Sequence, residues 1–127
     1  MNRILVIEDN KEIRENTMEI LQLSNYDVIT ADEGQAGFRL ACEKQPDLIL
    51  CDIMMPETDG ASFFRMAKAD DRTKDIPVVF FSAGSAQHLQ EGLKKIADGF
   101  LKKPFTEEQL LVAVGKVLIV RDKKTDV

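Results

Sequence analysis

Thiols and imidazoles are scarce in this chain: its 127 residues include two cysteines and one histidine. Cys42 and Cys51 form no spaced framework, so no disulfide scaffold is expected and a reducing, cytoplasmic location is. No apolar run approaches the roughly 20 residues that a membrane-spanning helix needs. Nothing at the N-terminus reads as a signal peptide, because the short apolar run after Arg3 soon meets Glu8 and Asp9. Basic charge is also in deficit. With 17 Lys+Arg against 22 Asp+Glu the net charge is −5, which argues against a nucleic-acid-binding surface. No Gly-x-x-x-x-Gly-Lys-Ser/Thr loop is present, which excludes nucleotide hydrolysis by that route. Repeats and low-complexity segments are absent too.

What is there is one domain's worth of alternating structure. Composition of 44% hydrophobic and 31% charged residues is that of a packed chain, neither disordered nor membrane-embedded. A chain of this length buries about two-thirds of its unfolded surface. Ile4, Leu5, Val6 and Ile7 form a continuous apolar run, as in a strand covered on both faces. Asn10 can cap a following helix in which Ile13, Thr17, Ile20 and Leu21 recur at helical spacing. Val28 to Thr30 reads as a weaker strand, 33–44 as a helix stopped by Pro46, and Leu48 to Cys51 as a third strand. After a loop at 53–59, residues 60–69 are helical, with Phe63, Met66 and Ala67 on one face. Val78 to Phe81 is the fourth strand, part of 85–95 a fourth helix, and 99–101 a short fifth strand. Thr106 and Gln109 have capping-box spacing and open a last helix with Leu110, Val114, Val117 and Leu118 inward. Residues 121–127 read as a polar, frayed tail. Strand–helix alternation implies parallel pairing through right-handed crossovers, hence an α/β doubly wound sandwich with helices on both faces.

In such a sheet, ligands bind beyond the carboxyl ends of the strands. That edge collects Glu8 and Asp9 after strand one, Asp52 after strand three, Ser82 after strand four, and Lys102, Lys103 and Pro104 after strand five. Two carboxylates about 5 Å apart repel by roughly 3 kcal/mol at an effective dielectric near 20, so a cation or ammonium must offset them. Oxygen donors without a His or Cys cluster favour Mg²⁺, or Mn²⁺, over zinc. Adjacent strand residues point to opposite faces, so only one of Lys102 and Lys103 can reach the site.

The ordered set Glu8–Asp9, Asp52 within Leu50-Cys51-Asp52-Ile53-Met54-Met55-Pro56, Asp59–Gly60, Ser82–Ala83 and Lys103-Pro104-Phe105 resembles the receiver domains of two-component response regulators. The resemblance spans essentially the whole chain. It implies a (βα)5, flavodoxin-like sheet in the order 2-1-3-4-5, with a receiver unit over 1–120 and a tail at 121–127 that could begin a linker. It implies that Asp52 is a phosphoacceptor, charged by a histidine kinase or a histidine phosphotransfer protein. Asp9, Asp52 and the Met54 backbone carbonyl would hold the metal, with Glu8 acting through water. Lys103 and the Ala83 backbone N–H would meet the phosphoryl oxygens, and Ser82 with Phe100 would form the switch. Phe100 stands where members often carry Tyr and lacks the hydroxyl. The resemblance favours the lysine directly before Pro104 and makes a cis bond at Pro104 an expectation. Partner contact, including dimerisation, would use the face of helix four, strand five and helix five. Ile96 replaces a common helix-ending glycine and the Ser82–Lys103 interval is about one residue short, so a short or shifted fourth helix is expected.

Rival readings are a flavin-binding carrier, a metal-dependent aspartyl phosphatase and a degenerate receiver serving only as an interaction module. Glu8, Asp9 and Asn10 would repel a flavin phosphate. Such phosphatases place a second Asp two residues after the nucleophile, where Met54 stands. His88 reads as a surface residue, Cys51 and Cys42 as packing thiols, and Met54 and Met55 as an apolar lip.

Overall fold

The computed structural model describes residues 1–55, 59–82 and 87–125, with only the backbone described at 87–91 and 124–125. Elements alternate as β1 (Arg3–Ile7), α1 (Lys11–Leu23), β2 (Asp27–Ala31), α2 (Gly34–Lys44), β3 (Leu48–Asp52), α3 (Gly60–Ala69), β4 (Val78–Ser82), α4 (Gln87–Ile96), β5 (Gly99–Lys102) and α5 (Glu107–Thr125). All pairings are parallel and the strand order is β2-β1-β3-β4-β5. The sequence expectation of a doubly wound α/β sandwich in that order holds.

Strand alternation sorts the core into two layers. Leu5 and Ile7, Ile49 and Cys51, and Val78 and Phe80 face one layer with Ala41, Phe63, Ala67 and Leu93 of α2, α3 and α4. Ile4 and Val6, Leu48 and Leu50, and Val79 and Phe81 face the other, with Leu21 of α1 and Leu110, Val114, Val117 and Leu118 of α5. The three central strands are apolar on both faces because both are covered.

Helix ends follow the side chains that stop them. Asn10 Oδ1 accepts from Ile13 N at 3.0 Å and Asp59 Oδ1 from Ser62 N at 2.8 Å. Thr106 and Gln109 exchange both bonds of a capping box, at 2.9 and 3.1 Å. α2 ends before Pro46 through Gln45, which takes a left-handed φ of 48°. Among the described residues, non-glycine positive φ occurs at Asn25 and Gln45 and not at Ile96. Ile96 instead ends α4 as an exposed helical residue, and Ala97 N still donates to Leu93 O at 2.8 Å. Asp98 then turns the chain by exchanging bonds with Val78, giving its N–H at 3.0 Å and accepting on Oδ2 at 2.9 Å. No left-handed cap is needed there.

One expectation is corrected at the far end. The segment read as a frayed tail continues α5 through Thr125. Arg121 pins it, donating to Asp47 Oδ1 at 2.8 Å, while Asp47 Oδ2 accepts from Arg3 N at 2.7 Å. Met54 and Met55 do not form a lip together: Met54 is exposed and Met55 is buried. Cys51 is fully buried, and burial pushes its thiol far above the usual range, as an inert packing group requires. Among the described residues no helix is long and apolar enough to cross a membrane.

Candidate functional site

The site lies at the carboxyl edge of β1, β3 and β5, on the layer shared with α1 and α5. Glu8 continues the parity of Ile4 and Val6, Asp52 that of Leu48 and Leu50, and Lys103 that of Leu101, so all three converge on that side. Parity also decides between the lysines: Lys102 is exposed, whereas Lys103 Nζ donates to Glu8 Oε1 and, at 3.1 Å, to Asp52 Oδ2. Phe81 lies beneath that ammonium, its ring centroid 4.9 Å from Nζ. The Lys103–Pro104 peptide is cis.

Glu8 and Asp52 are buried and Asp9 is exposed, yet each offers an oxygen within 4.8 Å of the others. Asp52 Oδ1 accepts from Met54 N at 3.1 Å, which folds the loop after β3 back over the carboxylate. Burial, reinforced by neighbouring Asp52 and opposed by the Lys103 hydrogen bond, pushes Glu8 up to about 8. Folding therefore favours protonated Glu8. That contribution is complete below the ordinary value of 4.5 and is lost as pH rises through about 8. With a chelator present, the melting temperature is expected to fall across that window, and Glu8→Gln to flatten the fall. A flat wild-type profile would show that Glu8 is already ionised.

Ser82 is buried at the end of β4, and its carbonyl accepts from Lys103 N at 2.8 Å. Alternation assigns its side chain to the opposite layer, that of Phe80. Phe100, paired with Phe80 across β4 and β5, packs half-buried against that same layer, with Lys94 Nζ 4.9 Å from its ring centroid. Ala83, and the side chain of His88, lie outside the described residues.

Two neighbours of the site carry no signature in the sequence reading. Phe81 could have been found from the period-2 pattern of β4. Arg14 could have been found from its place one turn past the Asn10 cap; its Nη1 donates to Glu8 O at 2.8 Å.

The model of the response regulator receiver domain matches residues 4–115. The chain belongs to this family. Among relatives, it is 39% identical over 124 residues to the DNA-binding dual master transcriptional regulator RpaA of Synechocystis, covering 97% of this chain and 52% of that protein. It is 34% identical over 117 residues to the phosphate regulon transcriptional regulatory protein PhoB of Escherichia coli, covering 91% and 51%. This receiver thus spans about half the length of the curated relatives it matches. Among solved structures, the chemotaxis response regulator CheY4 of Vibrio cholerae superposes with a TM-score of 0.84 at 30% identity, over 92% of this chain and 98% of that one. A receiver domain protein of Clostridium thermocellum gives 0.85 at 26% identity over the full length of both.

Proposed function

We propose that this receiver is a phosphoacceptor switch of a two-component phosphorelay, taking a phosphoryl group on Asp52 from a histidine kinase or a histidine phosphotransfer protein. The observation that carries the reading is the convergence of Glu8, Asp9 and Asp52 oxygens within 4.8 Å beside the Lys103 ammonium. The donors suit a hard divalent ion, since all are oxygens and exposed Asp9 leaves room for coordinating water. Asp9, Asp52 and the Met54 carbonyl would hold Mg²⁺ or Mn²⁺, with Glu8 reaching it through water. Bound there, the ion would offset the repulsion between Asp52 and the incoming phosphoryl anion.

The protein's own groups do the rest. A carboxylate oxygen of Asp52 attacks phosphorus in line, forming an O–P bond as the bond to the donor nitrogen breaks, a step governed by positioning and charge. Lys103, tethered between Glu8 and Asp52, can turn to the new oxygens, and the Ala83 N–H would donate to them, as would the Ser82 hydroxyl once it swings round the open end of β4. Withdrawal of Ser82 toward the phosphoryl group would free space for Phe100 to move inward, shifting the population of the β5–α5 face. A groove of about 710 Å³ on that face, lined by Phe100, Lys102, Val112 and Lys116, is where a downstream partner or a second copy would be received.

In this reading the protein is cytoplasmic, modifies only itself, and leaves DNA contact to any output region beyond residues 1–120. Segment 121–127 would then be the linker's first residues, entered as a helix. The deciding experiment is incubation with acetyl phosphate, followed by intact-mass measurement. One phosphoryl addition is expected with Mg²⁺ and none with a chelator. Equal labelling in both, or none in either, overturns the proposal; turnover of an external phosphoester without modification would favour a phosphatase instead.

A further inference from the structure

Resting on that reading, we infer that Arg14 is a positioning residue for the cation site, holding the loop that presents Glu8 and Asp9. The loop between β1 and α1 has three successive carbonyls, and Arg14 satisfies each of them. Its guanidinium Nη1 donates to Glu8 O at 2.8 Å and reaches Asp9 O at 3.4 Å, while its backbone N–H donates to Asn10 O at 2.9 Å. The loop is also held at its start, where Glu8 N donates to Ala31 O of β2 at 3.1 Å, and at its end by the Asn10 cap. Between these two points lie the two peptide planes from Glu8 to Asn10; Arg14 grips the carbonyls of both, and Asn10 N adds a longer bond to Glu8 Oε2 at 3.4 Å. The orientation of these planes sets the directions in which the Glu8 and Asp9 side chains leave the backbone. Arg14 therefore keeps two carboxylates converging on Asp52 without itself entering the cluster.

The idea makes a prediction whose sign separates geometry from charge. Arg14 is a cation close to a cation site, so its Coulombic effect alone is to weaken Mg²⁺ binding, and deleting it would tighten binding. A positioning role predicts the reverse. Outer-shell groups that orient metal ligands change affinity by roughly ten- to hundredfold when removed, and Arg14→Ala is expected at the lower end, about tenfold weaker. Arg14→Lys keeps the charge but replaces the planar fork with a single ammonium, and is expected to weaken binding several-fold as well. Arg39 lines the same groove as Arg14 but stands on α2, not on the helix that follows the loop, so Arg39→Ala, which deletes an equal charge, should leave Mg²⁺ affinity within about twofold.

The measurement is calorimetric titration with MgCl2 of the full chain and each variant, without a phosphodonor. Carbonyl carbon resonances of Glu8 and Asp9 are recorded alongside in chelator, where a lost hydrogen bond shifts them. Weaker binding in both Arg14 variants with shifted carbonyl resonances and near-native melting supports the inference. Unchanged or tighter binding in Arg14→Ala, or wild-type affinity in Arg14→Lys, overturns it. If the wild type takes up no Mg²⁺, the cation reading itself fails. Arg14 then loses its role toward a metal whatever the resonances do, whereas binding wild type with an indifferent Arg14 sinks this inference alone.

Discussion

Asp52→Asn is expected to take no stable phosphoryl label under conditions that fully modify the wild type. The carboxamide cannot form the mixed anhydride, because its oxygen is a poor nucleophile and its nitrogen carries no free electron pair for phosphorus. The local geometry amplifies the loss. In the wild type Asp52 Oδ2 accepts from Lys103 Nζ at 3.1 Å and Oδ1 accepts from Met54 N at 3.1 Å. An amide can satisfy one of these donors with its oxygen but turns its NH2 toward the other, and two donors face each other in a buried site. Intact-mass measurement after acetyl phosphate with Mg²⁺ checks the outcome. Full labelling of the variant would move the phosphoacceptor elsewhere.

The largest expected effect on stability is at Gly60, the first residue of α3. A Cβ there would lie 2.8 Å from Ile53 Cα and 2.9 Å from Asp52 O, with Phe80 Cε1 at 3.1 Å. The two closest atoms are backbone of the buried β3 end, and Gly60 N also donates to Ile53 O at 2.8 Å, so neither partner can withdraw alone. Gly60→Ala is expected to destabilise by about 2–3 kcal/mol, the upper range for overpacking. For a chain of this length that is a drop in melting temperature on the order of 10 °C. Gly115→Ala is the contrast, since nothing lies within 4 Å of its Cβ and the helix gains up to about 1 kcal/mol. Denaturant titration of both variants should separate them in sign. An unchanged midpoint for Gly60→Ala would mean that α3 can lift off β3 freely.

The architecture was legible because its signals are local. Apolar runs at Ile4 to Ile7, Leu48 to Cys51 and Val78 to Phe81 mark strands that are covered on both faces, and each observed strand differs from its reading by a residue at one or both ends. Parity along those strands, a property of the backbone, carries Glu8, Asp52 and Lys103 to one side. The missed features depend on contacts between distant segments. A polar stretch after Val120 gives no local reason for helix, yet Arg121 finds Asp47 across the molecule. Ile96 looks misplaced beside a glycine cap, but Asp98 turns the chain through Val78 instead. Arg14 reads as an ordinary helix cation until the rotation of α1 brings its guanidinium back over the preceding loop.

The pleat of β4 and β5 has a consequence for how a message could leave the site. Lys103 sits with the carboxylates on one side of the sheet, while Phe100 packs on the other. The two are joined along the chain through Leu101 and Lys102, and Lys103 N also donates to Ser82 O of the neighbouring strand. The phosphoryl donor would thus meet the carboxyl edge of the sheet, whereas the reader would meet the β5–α5 flank beside it. Surface changes along α1 should then retune how fast the mark is written while leaving untouched the affinity with which it is read.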